Sequence, residues 1–339
     1  MILLFHGTGD HNGKDENWMK WVAEIMRHHG ETVICVAGVA SDQQDEIYRE
    51  LLPLYTNLQL PSVNPTPRVA NASLHAALES AGGELVRALQ VNANGEEQAS
   101  SDLILHKRQE KGPTTSGIKI RVALASLAAL AYWRRTPSHN RRPIRIIGHS
   151  RGGCVAIGVH NVLTYFGIPC DRTLTLDPCH GINKDLGLRI MLSLMGAIPV
   201  MPFIPSIQKS YFHKVWGGTL QNIPARKGVG KDWAGFAVYR PPITVGHGGV
   251  ANVTNHPTMQ RVKHGHMGKL QRLNGNEAAK NQRRQELREM FQDIVDAPGL
   301  IAGNAQAHLN KFFNLSTTRD SDYQEKLFIQ SKVIEILTT

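Results

Sequence analysis

"RPIRIIGHSRGGCVAIGV" (Arg142–Val159) sets a serine between two glycines, just after one short apolar run and just before another. A strand interior has no use for glycine, and a helix start is satisfied by one cap. The pattern fits a sharp strand-to-helix turn with Ser150 at its apex, the context that gives an otherwise weak G-x-S-x-G match (Gly148, Ser150, Gly152) its meaning. Ser150 is therefore expected to be a nucleophile. The competing reading is an ordinary helix N-cap.

Upstream, "MILLF" is a continuous apolar run, as in a strand buried on both faces. "ENWMKWVAEIMRHHG" follows with Trp18, Trp21, Val22 and Ile25 at helical spacing and Gly30 as its C-cap, and "ETVICVAGVAS" is a second buried strand. Strand–helix–strand predicts a parallel sheet. Residues 42–115 are more polar and read as an insertion of helices and loops. "GIKIRVALASLAALAYWRR" (Gly117–Arg135) predicts a helix, the stretch after Ser150 another, and "RTLTLDP" a strand ending at Asp177. Helices are expected over Arg284–Val295 and Gln324–Leu337, within a C-terminal helical part spanning 275–339. The whole is expected to be one α/β-hydrolase-like domain of 339 residues: a mostly parallel central sheet, helices on both faces and a cap insertion.

A serine nucleophile needs a base and a group that orients the base. Asp177, at the carboxyl end of the strand after the nucleophile, is the expected acid; Asp232 is a weaker substitute, and a helix-capping role is the bland alternative. With the order Ser, acid, His, the base must follow Asp177. "ITVGHGGVAN" offers His247 and "MQRVKHGHMGKL" offers His264 and His266, each an extended run followed by a Gly-flanked histidine. His264 ranks first, His247 second and His266 close behind, in a chain with 16 histidines. The oxyanion donors are expected from the amide of Arg151 and from Gly7 or Thr8 in "FHGTGD". "GTGDHNGKD" lacks the G-K-[ST] ending of a phosphate-binding loop.

The net charge of +10 favours anionic partners, but no zinc-finger spacing or aromatic RNA-binding box appears, so nucleic acid is not expected. No cofactor is expected, nor any metal, since no ligand cluster has convincing spacing. Cys35, Cys154, Cys170 and Cys179 form no CxxC pair and are expected to be reduced thiols. The N-terminus lacks a basic region and does not read as a signal peptide, so synthesis in the cytoplasm is expected. Leu186–Pro205 is apolar and Met-rich, carries Arg189 and is broken by Gly196, Pro199 and Pro202. It reads as the core of a lid over 183–210 that meets lipid, the alternative being a buried core helix.

"FHGTGD", "VICVAGVAS" and "IIGHSRGG" resemble, in order and spacing, the bacterial GxSxG lipase effectors delivered by type VI secretion and their relatives, over roughly the first 180 residues. Those typically show F-D-G-T-x-N, then G-V-G, then G-[FH]-S-R-G. This chain departs at His6, where the family usually has Asp, and its late histidines sit in "HGHM" and "HGGV" rather than "HGD" or "HGT". The resemblance implies a Ser150–Asp177–His triad, phospholipase activity at a target-cell membrane, an immunity protein in the producer and a secretion-apparatus partner. The competing functions are a soluble carboxylesterase or thioesterase, and a catalytically inactive α/β-hydrolase used as a binding module.

Overall fold

The computed structural model describes residues 1–8, 10, 14–38, 116–179, 201–202, 213–226, 228–231, 237–240, 243–269, 276–296 and 304–339. The chain begins with β1 (Ile2–Phe5), α1 (Trp18–His28) and β2 (Val33–Val36), and resumes with α2 (Ser116–Arg135) and β3 (Arg145–His149). Then come α3 (Arg151–Tyr165), β4 (Arg172–Leu176), β5 (Met201–Pro202), β6 (Lys214–Ile223), β7 (Gly228–Lys231), β8 (Ala237–Arg240) and β9 (Gly246–Asn255). Helices α4 (Glu277–Asp296), α5 (Ala305–Ser316) and α6 (Tyr323–Thr338) close the described chain.

Six strands form one sheet in the order β2-β1-β3-β4-β6-β9, every neighbouring pair parallel. All six therefore end at the same edge, and β3 lies near the middle. This is an α/β architecture with both faces covered, which explains why β1 and β2 read as unbroken apolar runs. Strand alternation sorts the side chains. Leu3, Phe5, Ile34, Val36 and Ile146 meet α2 and α3 on one face, while Ile2, Leu4, Val33, Cys35 and Ile147 meet α1, α4, α5 and α6 on the other. A small second sheet runs β5-β8-β7.

Local chemistry accounts for the boundaries. α1 ends in a glycine-closed motif: Gly30 has φ 76°, its N–H donates to Arg27 O at 2.9 Å, and Glu31 N–H donates to Met26 O at 3.0 Å. α4 starts at Glu277, two turns before the expected Arg284. Asn276 Oδ1 accepts the Ala279 N–H at 2.9 Å there, and the first two turns carry no apolar residue larger than Ala278 and Ala279 for periodicity to detect. α5 is an element that the sequence reading did not separate; Asn304 caps it through Ala307 N–H, and it buries Leu309, Phe312 and Phe313. The expected insertion at 42–115 lies outside the described residues, as does the lid segment at 183–210 except Met201 and Pro202, which pair with Val238 and Tyr239. All four cysteines are buried free thiols, and no helix among the described residues is long and apolar enough to cross a membrane.

Trp21 anchors α1 against the C-terminal helices, its ring 4.7 Å from Phe291 and 6.4 Å from Phe312, with its Nε1–H donating to Asp15 O at 2.7 Å. Trp21→Ala is expected to destabilise the fold by about 3–5 kcal/mol, read from urea unfolding midpoints, because it opens a cavity among aromatic rings that cannot collapse.

Candidate active site

Ser150 follows β3 directly and adopts φ 56°, ψ −122°, a conformation L-residues rarely hold. Such a residue costs on the order of 1–3 kcal/mol and persists only where its surroundings dictate it. Here they do. The Ser150 N–H donates to Leu176 O at 3.0 Å, carrying the β3–β4 ladder one residue past the strand. Its carbonyl accepts from Gly153, Cys154 and Cys179 N–H at 3.0, 3.3 and 3.0 Å. The flanking glycines answer a need for space: a Cβ on Gly148 would lie 2.2 Å from Gly152 O, and one on Gly152 would lie 2.2 Å from Phe5 O. Although Ser150 stands at the N-cap position of α3, its hydroxyl makes no capping bond. That disposes of the bland reading.

Asp177 is the other non-glycine residue with positive φ among those described, at 45°. Its N–H donates to Ile223 O at 2.9 Å, so the acid, too, is placed by extending a strand ladder. Its carboxylate is buried and accepts the His264 Nδ1–H at Oδ2, 2.6 Å. His264 Nε2 in turn accepts the Ser150 hydroxyl at 2.8 Å. One chain of hydrogen bonds thus joins three strand-end loops, and a proton leaving Ser150 has an acceptor whose cationic form faces a carboxylate.

The other histidines fall elsewhere. His247 is not in a loop leaving a strand but at the start of β9, opposite Val215 of β6; the strands are parallel, so it sits at the sheet edge remote from Ser150. Its Nδ1 bonds Ala251 O at 2.5 Å. His266 shares a single 3-10 turn with His264, where residues two apart project about 240° apart, and the bond to Ser150 belongs to His264. His213 Nε2–H donates to Pro178 O at 2.9 Å. Asp232 lies outside the described residues.

The segment bearing His264 has little regular structure and is strapped on both sides. His256 N–H donates to Asn222 O at 2.8 Å and Met259 N–H to Pro224 O at 3.0 Å. The Glu325 carboxylate of α6 accepts the N–H groups of Gln260, Arg261 and Val262 at 2.7, 2.8 and 2.7 Å. Beyond His264, Trp18 Nε1–H donates to Met267 O at 2.9 Å. The sequence reading missed Glu325 and Trp18 as supports of the base. Their partners are backbone groups, which leave no side-chain signature.

Gly7 and Thr8 follow β1 into the same edge. A Cβ on Gly7 would lie 3.3 Å from the Ser150 Cβ, so this backbone passes directly beside the serine. Arg151 opens α3, where the first N–H groups have no intrahelical acceptor. His149, also buried, bonds His264 O through Nε2 at 2.8 Å. Burial, then the neighbouring His264, pushes its pKa down to about 4. Among the described residues, no group of three or more His, Cys, Asp or Glu side chains is placed to hold a metal ion. Comparison of this chain with protein-family models, curated proteins and solved structures finds no match.

Two stability outcomes follow from this geometry. Ser150→Gly relieves the backbone strain while Ser150→Ala keeps it, so the glycine variant is expected to be more stable by about 1 kcal/mol in thermal melts, after allowing for glycine's extra unfolded-state entropy. His149 refuses a proton when folded that it accepts when unfolded. Stability is therefore lost as pH falls from about 6.5 to about 4, by on the order of 3 kcal/mol from this group. Unfolding titrations across that window should show His149→Gln losing less than wild type.

Proposed function

We propose that the chain is a serine hydrolase of the α/β-hydrolase class that cleaves carboxylic esters. The carrying observation is the continuous bond chain Ser150 Oγ–H to His264 Nε2, His264 Nδ1–H to Asp177 Oδ2. The chain order Ser, acid, His and the strand–turn–helix around Ser150 agree with that class. Ser150 Oγ attacks the ester carbonyl as His264 takes its proton; the Thr8 or Gly7 amide and the Arg151 amide donate to the oxyanion. His264 then returns the proton to the leaving alcohol. Water, deprotonated by the same histidine, frees the acyl group from Ser150. Asp177 keeps His264 in the tautomer with its proton on Nδ1 and stabilises the imidazolium.

The substrate class in this reading is the acyl ester of a lipid at an anionic surface, supported by the net charge of +10 and the apolar stretch Leu186–Pro205. On the motif resemblance, the reading extends to an antibacterial or host-directed effector made in the cytoplasm and exported, with an immunity protein in the producer.

Mixed vesicles of anionic and zwitterionic phospholipid, incubated with wild type and Ser150→Ala, test it by mass spectrometry of fatty acid and lysolipid. Release by wild type is expected, falling about 10⁴-fold or more in Ser150→Ala and about 10³–10⁴-fold in Asp177→Asn. Ser150-dependent turnover of a short soluble ester without vesicle hydrolysis would overturn the lipid assignment. Turnover of neither would overturn the hydrolase and leave a binding module.

A further inference from the structure

We infer that His149 is a positioning residue: its imidazole is the wedge that sets the backbone of the base His264 against the oxyanion loop and the nucleophile. The inference rests on the serine hydrolase reading and deepens it.

A carbonyl oxygen can only accept, so in the 2.8 Å contact with His264 O the proton is on His149 Nε2. In the neutral ring this leaves Nδ1 without a proton, facing the other way. Two backbone segments crowd that atom. A Cβ on Gly7, in the oxyanion loop, would lie 2.7 Å from Nδ1, and a Cβ on Gly268, four residues past the base, would lie 3.0 Å from it. The ring also lies against the His264 ring, with centroids 5.1 Å apart and planes at 39°. A single side chain adjoining the nucleophile in sequence thus touches the base through a hydrogen bond and a ring face, and adjoins both loops at glycines where a Cβ would press on its ring.

His149 is buried, which favours the uncharged ring. Among the described residues, the titratable groups acting on it are His264, Asp10 and Asp177, and Asp10 is paired with Lys14 Nζ at 3.4 Å. A neutral neighbour does not oppose the charge that His264 acquires when it takes the serine proton. The position of His264 Nε2 relative to Ser150 Oγ is then governed by a donor on Nε2 of residue 149. Glutamine can present a similar donor; leucine fills similar space without one.

The experiment compares wild type, Ser150→Ala, His149→Gln, His149→Leu and Gly268→Ala by two readouts. One is the rate of covalent labelling of Ser150 by a fluorophosphonate, with thermal melts alongside. The other, which needs no reaction, is the low-field proton NMR signal of His264 Nδ1–H bonded to Asp177. Misplacement of a base by a fraction of an ångström to an ångström slows reaction by up to about 100-fold, so a loss of about 50-fold in His149→Leu is expected, against about 5-fold or less in His149→Gln. Gly268→Ala, which keeps His149 but presses on it, should also slow labelling by about 10-fold while the fold melts normally. The NMR signal should persist in His149→Gln and vanish in His149→Leu.

Equal losses in His149→Gln and His149→Leu would overturn the inference, as would a persistent signal in His149→Leu or unimpaired labelling of Gly268→Ala. Should His149→Leu not fold, His149→Gln and Gly268→Ala decide the matter. A wild type that fluorophosphonate does not label at Ser150 refutes the hydrolase reading. The NMR comparison still judges His149 in that case.

Discussion

The carbonyl of Ser150 accepts three backbone N–H groups, from Gly153 and Cys154 in α3 and from Cys179 beyond the acid. That one oxygen ties the first turn of the nucleophile helix to the loop carrying Asp177. With the amide bond to Leu176 O on the other side, it holds Ser150 in a conformation the residue would leave if released. The strain is local, but its supports span β1, β3, β4 and α3. The packing of these elements, with Gly152 pressed on the backbone of Phe5 and His6, is what makes the turn possible.

The base is held by a different principle. Ser150 and Asp177 each lie one residue past a strand, and extended ladders position them. His264 lies nine residues past the end of β9, in a segment whose position comes from bonds to β6, α6 and α1. α1 and α6 pack on the same face of the sheet, so the apolar contacts of that face also fix where the base stands. Stability and site geometry share one core there.

This division explains what could be read from the sequence. β1, α1, β2, α2, β3, α3 and β4 show in apolar runs and helical spacing, and Ser150 and Asp177 follow because their placement is local. Choosing among histidines is not local. His247 and His264 have similar surroundings in sequence, and only the parallel register of β6 and β9, which puts His247 at the far edge, separates them. The start of α4 was hidden by a polar face, and the Glu325 clamp by a carboxylate that meets backbone alone. His149 stood within the quoted motif, yet its tie to the carbonyl of a residue 115 positions away has no counterpart in local pattern.

Glu325 lies 63 residues after Val262, whose amide it holds, and the base lies 114 residues after the nucleophile. A ribosome therefore makes Ser150 first, and the histidine it bonds and the clamp on that histidine's segment much later. Until α6 has emerged and docked, the growing chain carries Ser150 and Asp177 without a fixed proton acceptor. On the proposed hydrolase reading, synthesis order itself would keep the unfinished molecule inert, and a cut between His264 and α6 would release the Glu325 clamp and return it to that condition.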